Sequence, residues 1–120
     1  MAAPHPPFEA PEPWFSMYDR AAMPDPVAPA EDPDSEPAYM TAVRERYGLD
    51  RVTPELWREI VATYYGMVSR MDAHLGRVLA HVDDETTVTL FFADHGEYLG
   101  DHGLIEKWPT SMHSCVTRDP

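Results

Sequence analysis

One triplet occurs twice near the end of this chain, as Asp94-His95-Gly96 and Asp101-His102-Gly103, seven residues apart in the run FFADHGEYLGDHGLIEKW. Aspartate offers a hard anionic oxygen and histidine an imidazole nitrogen. Ca2+ and Mg2+ favour oxygen donors, whereas Mn2+ or Zn2+ accepts the nitrogen readily. The run is therefore a four-ligand metal cluster, one functional pair with a bystander, or a polar loop. Adjacent residues on an extended chain point to different sides, so a metal held by both Asp94 and His95 requires a local bend, which Gly96 can help supply. Lys107 lies thirteen residues past Asp94 and is the only lysine. Beside a cation, such a lysine suits an anionic group shared with the metal.

The remaining chemistry-bearing side chains are less informative. His5 stands alone in PHPP. His74 and His81 lie seven apart toward the end of a long helical pattern and suit surface contacts. His113 and Cys115 sit in PTSMHSCVTRDP, which has no period. Hydrolysis of a stable ester anion calls for a nucleophile beside the metal. No Ser or Thr occupies a recognisable elbow. The residues offer a metal corner and an anion-binding lysine rather than a full catalytic set.

The elements that must position them are legible from periodicity. Trp57, Ile60, Val61, Tyr64, Val68, Met71, Leu75 and Val78 recur at steps of three and four, which predicts a helix over about Pro54 to Leu79. Thr53 suits the cap and Pro54 the first helical position. Gly66 and Gly76 each cost about 1 kcal/mol of helix propensity, and on a packed face they would admit a close neighbour. A shorter helix over Ala38 to Tyr47 ends at Gly48. After a turn at Asp83, Asp84 and Glu85, the run Thr87 to Ala93 predicts a strand covered on both faces. A long helix feeding such a strand predicts an α/β fold. Asp94 and His95 would then fall just past the strand's C-terminal end, where open α/β sheets bind ligands.

Composition excludes several partners. Nine basic residues against 21 acidic ones give a formal charge of −12. A nucleic-acid backbone or an anionic membrane surface needs clustered Lys and Arg, so neither is expected. A single cysteine allows no internal disulfide and no cysteine zinc knuckle. The opening MAAPHPPFEA has no basic segment followed by an apolar run, so it is not a signal peptide, and a chain complete as it stands would remain in the cytoplasm. Residues Met1 to Met40 hold ten of the thirteen prolines, and eight acids against one base, Arg20. Phe8, Trp14, Phe15, Met17 and Tyr18 are set among those prolines, which predicts an extended segment packed on a surface rather than a solvated linker.

Three blocks carry a resemblance to the sulfatases of the alkaline phosphatase superfamily. They are PHPPFEAPEPWFSMYD, YYGMVSRMDAHLGRVL and TTVTLFFADHGEYLGDHGLIEKW, together spanning roughly residues 4 to 109. The branch resembled holds choline sulfatases, iduronate-type sulfatases and phosphonate or phosphate monoester hydrolases. The resemblance implies an alkaline-phosphatase-like sandwich, with a mixed sheet between helices, incomplete in this chain. It divides the chain into a Pro-rich extended segment (1–40), a helix-strand-loop part ending at the metal and anion site (41–109) and a divergent or truncated tail (110–120).

For the site, the resemblance implies one divalent metal held by Asp94 and His95, with Ca2+ first and Mn2+ or Mg2+ as alternatives. Lys107 would contact the sulfate or phosphoryl group, and His5 would face the ester and assist the leaving group. The substrate would be a small sulfate ester or, alternatively, a phosphonate or phosphate monoester. Two family features are absent: the N-terminal Asp-Asp metal pair, and the C-x-P-S-R or C-x-A-S-R signature whose Cys becomes formylglycine. Cys115-Val116-Thr117-Arg118 does not match that signature. The expectation is thus an internal fragment of a metal-dependent sulfuric ester hydrolase, inactive when isolated, and the other class is a non-catalytic truncated product.

Overall fold

The computed structural model describes residues 3–82 and 85–107. The proposed tail, including His113 and Cys115, and the turn residues Asp83 and Asp84 lie outside the described residues. Two α-helices dominate, α1 (Ala38–Tyr47) and α2 (Pro54–Leu79). Short 3-10 turns occur at Arg20–Ala22, Pro33–Ser35, Leu49–Arg51 and Asp101–Gly103.

The helices begin and end where local chemistry dictates. The Leu56 amide of α2 donates to Thr53 Oγ1 at 3.3 Å, which satisfies one of the free first-turn amides. α1 stops at Gly48, whose φ of 63° is left-handed and whose amide reaches back to the carbonyls of Arg44 and Glu45.

The chain divides into two compact units, Met1–Met23 with Ile60–Phe92, and Pro24–Glu59 with Ala93–Pro120. In the first, the Pro-aromatic segment packs on α2. Phe8 meets Tyr64 edge-on at 5.9 Å between ring centroids, and Tyr18 meets Tyr65 at 5.5 Å. Such pairs contribute about 0.5–1.5 kcal/mol each beyond their buried area. The Tyr18 and Ser69 hydroxyls share a hydrogen bond of 2.6 Å. Gly66 is where the backbones close: a Cβ there would lie 2.2 Å from the Trp14 carbonyl oxygen. Gly76 has nothing within 4 Å of that position, so its lack of a side chain serves no contact among the described residues. The helix stripe is covered unevenly. Val61 is 4% exposed and Met67 3%, but Val68 is 43% and Val78 62% exposed.

The second unit has its own small core of Met40, Leu49, Tyr98 and Leu104, with Val43, Val52 and Ile105 against it. Leu104 is fully enclosed, and Trp57 is also buried.

The expected α/β class is not what these residues build. Among the described residues there is no strand, and the architecture is helical. Thr87 to Ala93 carries no regular structure, and Val88, Leu90, Phe91 and Phe92 are 79–87% exposed. A helix satisfies its backbone groups within its own segment, so α1 and α2 form from local sequence. A strand must find its amide and carbonyl partners on another strand, and one strand-forming run cannot supply them alone. The mixed sheet expected between helices is therefore corrected to two helices, connecting turns and an exposed apolar run.

Candidate metal and anion site

Asp94 and His95 follow that apolar run directly. The chain bends at Asp94, and the His95 amide donates to Asp94 Oδ1 at 3.0 Å. His95 Nδ1 lies 2.9 Å from the Gly96 carbonyl oxygen. A carbonyl only accepts, so Nδ1 carries the proton, and in the neutral ring Nε2 keeps its lone pair. Nε2 is 3.6 Å from Asp94 Oδ2. An imidazole nitrogen and a carboxylate oxygen thus stand side by side, with the other ring nitrogen bonded to the backbone. That is the arrangement by which a ligating histidine is usually oriented. Both side chains are open to solvent, Asp94 at 82% and His95 at 37%. The donor pair fits a divalent cation, and it is a pair: among the described residues no group of three or more His, Cys, Asp or Glu side chains converges.

Lys107 follows a tight reversal. The Tyr98 amide donates to the Glu106 carbonyl at 3.3 Å, and the Gly100 amide to the Leu104 carbonyl at 2.8 Å. Bonds from Asp101 to Tyr98 (2.9 Å) and from Gly103 to Gly100 (2.8 Å) close the turn. Leu99, Gly100, His102, Gly103 and Glu106 all take positive φ, so the reversal is built from left-handed backbone. Buried Tyr98 and Leu104 root it in the core. Glu97 lies near enough to Lys107 for the lysine charge to act on it.

Glu97 was not anticipated from the sequence. Burial pushes its carboxyl above the usual carboxylate value, and the charge of Glu106 adds to this. Backbone hydrogen bonding at Glu106 and Leu99 and the charge of Lys107 pull the other way. One of its oxygens, Oε1, is buried without a hydrogen-bond partner among the described residues. Nothing in the local pattern singles it out, because its burial comes from the fold of the turn that follows it.

The second triplet bonds elsewhere. Asp101 Oδ1 accepts the Val27 amide at 2.7 Å, and the His102 amide donates to the Val27 carbonyl at 2.7 Å. Arg44 on α1 donates from Nη1 to the His102 carbonyl at 2.8 Å and from Nη2 to Glu36 Oε2 at 2.5 Å. A Cβ on Gly103 would meet Arg44 Cδ at 3.0 Å and Pro29 Cγ at 3.2 Å. This triplet is a clasp between the loop, the Pro-rich segment and α1. Glu36, 7% exposed, feels desolvation that raises its pKa. The Ala30 amide, the Arg44 guanidinium and the charge of His102 outweigh it, and the carboxyl lies below its usual value.

His5 belongs to the first unit. Its ring is exposed, and Nδ1–H donates to the Pro6 carbonyl at 2.8 Å. Asp94, His95 and Lys107 all belong to the second unit.

The family model described as Sulfatase matches residues 1–115. The chain belongs to the sulfatase family. Among curated relatives, this sulfatase-family chain is 38% identical to the multifunctional alkaline phosphatase superfamily protein PehA of Trinickia caryophylli, over 87% of its own length and 24% of the relative's. It is 29% identical to an arylsulfatase of Clostridium perfringens, over 87% of its own length and 22% of the relative's. The solved phosphonate monoester hydrolase SpPMH from Silicibacter pomeroyi superposes with a TM-score of 0.75 at 32% identity, covering 92% of this chain and 25% of that one. The chain thus spans about a quarter of the length of these relatives.

Proposed function

We propose that this chain supplies the metal-binding and anion-contacting corner of a metal-dependent sulfuric ester hydrolase. The observation that supports it most is the His95 Nε2 lone pair beside Asp94 Oδ2 at 3.6 Å, with Nδ1–H committed to the Gly96 carbonyl. Asp94 and His95 hold one divalent cation, Ca2+ first, with Mn2+ or Mg2+ as alternatives. When bound, such a cation offsets charge on sulfate oxygens as a Lewis acid.

Lys107 contacts the same sulfate group, adding a positive charge where negative charge must be stabilised during transfer. Glu97, near enough for that charge to act on it, limits where the ammonium can settle. His5 assists departure of the alcohol. With Nδ1 bonded to the Pro6 carbonyl, Nε2 is the ring nitrogen left to meet the leaving group. The nucleophile implied by the family resemblance, a formylglycine, has no precursor cysteine in a matching motif here, so these 120 residues do not complete the reaction.

Phosphonate or phosphate monoester hydrolysis is the second reading. The likeness to a solved phosphonate monoester hydrolase favours it, and the same donors suit another tetrahedral anion. A third, a non-catalytic product, concerns the polypeptide by itself. Calorimetric titration of the 120-residue chain with Ca2+ and Mn2+ tests the metal assignment. Wild type is expected to bind with an affinity that falls at least about tenfold in Asp94→Asn, the order of one lost charge-assisted ligand. Equal binding by both would remove Asp94 from the site. No turnover of an aryl sulfate or a phosphonate monoester is expected from the isolated chain. Turnover that is metal-dependent and abolished by Asp94→Asn would show that the chain carries its own nucleophile.

A further inference from the structure

We infer that Arg44, anchored by Glu36, is a positioning residue for Lys107, acting through the Asp101-His102-Gly103 clasp; this rests on the reading of Lys107 as the anion contact. Lys107 sits four residues past Gly103, on the returning arm of a reversal built from left-handed backbone. Such a reversal holds one geometry only when its surroundings over-determine it. The contacts that do so come from outside the loop. Both backbone polar groups of His102 are engaged, its amide with the Val27 carbonyl and its carbonyl with Arg44 Nη1.

The guanidinium suits this role because its planar fork bonds two acceptors in different directions. Nη1 takes the His102 carbonyl, while Nη2 takes Glu36 Oε2 and, at 3.2 Å, Thr41 Oγ1. Its stem packs against the open face of Gly103, where a Cβ would come within 3.0 Å. Arg44 is only 15% exposed, so it is held on all these sides. From the clasp, the Gly100–Leu104 and Tyr98–Glu106 bonds carry the loop's register to Glu97 and Lys107. A lysine at position 44 keeps the charge beside Glu36 but lacks the fork, so the His102 carbonyl loses its partner.

The test uses the full chain with 13C-labelled lysine, in which the one lysine gives one side-chain resonance. Inorganic sulfate is the probe. In wild type the Lys107 resonance should lie away from that of an unstructured lysine and move saturably with sulfate. In Arg44→Lys, and independently in Asp101→Ala, helicity by circular dichroism should persist. The resting resonance should move toward the unstructured position, and sulfate affinity should fall roughly tenfold. Wild-type resonance position and sulfate affinity in both folded variants would overturn the proposal. Loss of helicity in both would do so too, since the pair would then serve folding rather than placement. If wild type ignores sulfate while the variants still shift the resting resonance, the positioning role stands and the anion reading fails.

Discussion

The two Asp-His-Gly triplets share a sequence and little else. In the first, Asp94 is 82% exposed, and the His95 ring is tied to the Gly96 carbonyl with Nε2 beside the carboxylate. In the second, Asp101 and His102 bond to Val27 and Arg44, residues 74 and 58 positions distant in sequence. In the first triplet the carboxylate and imidazole stay open to solvent; in the second the Asp101 carboxylate and the backbone of His102 are committed to distant parts of the fold. The lesson is that a carboxylate beside an imidazole becomes a candidate ligand set only where the surrounding backbone does not consume it. A protein group that already satisfies a carboxylate or fixes a loop gains little by exchanging that partner for a metal.

The sharpest way to break this comparison is to cut the clasp. Arg44→Met removes the charge-assisted bonds to Glu36 and to the His102 carbonyl and should cost about 2 kcal/mol, the order for hydrogen bonds to charged groups. Urea denaturation followed by circular dichroism reports it. A midpoint shift no larger than that of Asp94→Ala would mean that the triplets do not differ as described.

Next in size is Gly103→Ala. Its φ of 68° and its approach to Arg44 Cδ predict a loss of about 1–2 kcal/mol. Thermal melting checks it, and a variant as stable as wild type would show that the loop relaxes freely around the clasp.

The clasp should also respond to pH. Glu36 has a folded-state pKa below its unfolded value, so its contribution to stability is present above the unfolded value. It is lost as pH falls through the folded one. Denaturation midpoints measured downward from neutral pH should therefore decline, and Glu36→Gln should flatten that decline. An unchanged profile in Glu36→Gln would assign the acid sensitivity to other carboxylates.

The smallest stability effect belongs to the first triplet. Asp94→Ala should change folding free energy by less than about 0.5 kcal/mol, as expected of an exposed side chain, while reducing divalent-metal affinity. A large stability loss with intact metal binding would exchange the roles of the two triplets.

The two helices were legible in the sequence because their determinants are local. Pro54, the three- and four-residue apolar steps, Thr53 and Gly48 all act within a turn or two of themselves, and α1 and α2 run over Ala38–Tyr47 and Pro54–Leu79 as the pattern predicts. The rings of the Pro-aromatic opening asked for cover, and Phe8 and Tyr18 find it on α2 while Phe15 and Met17 stay exposed. The segment's address was not legible: only the fold shows that Gly66 admits the Trp14 carbonyl while Gly76, alike in sequence, faces open space. The strand expected over Thr87 to Ala93 failed for the complementary reason. β-propensity and apolar continuity describe what a segment would bury, not whether a partner strand is there to receive its hydrogen bonds.

By itself, then, the sequence determined the helices, their caps, the acidic balance and the residue types able to hold a cation or meet an anion. Each of these depends on covalent chemistry or on neighbours a few residues away. Tertiary structure alone decided that Asp94 stays exposed while Asp101 is bonded, that Glu97 is buried within reach of the Lys107 charge and that Arg44 reaches across to hold the turn. Those outcomes depend on contacts between residues tens of positions apart, and no local pattern encodes which distant group will arrive.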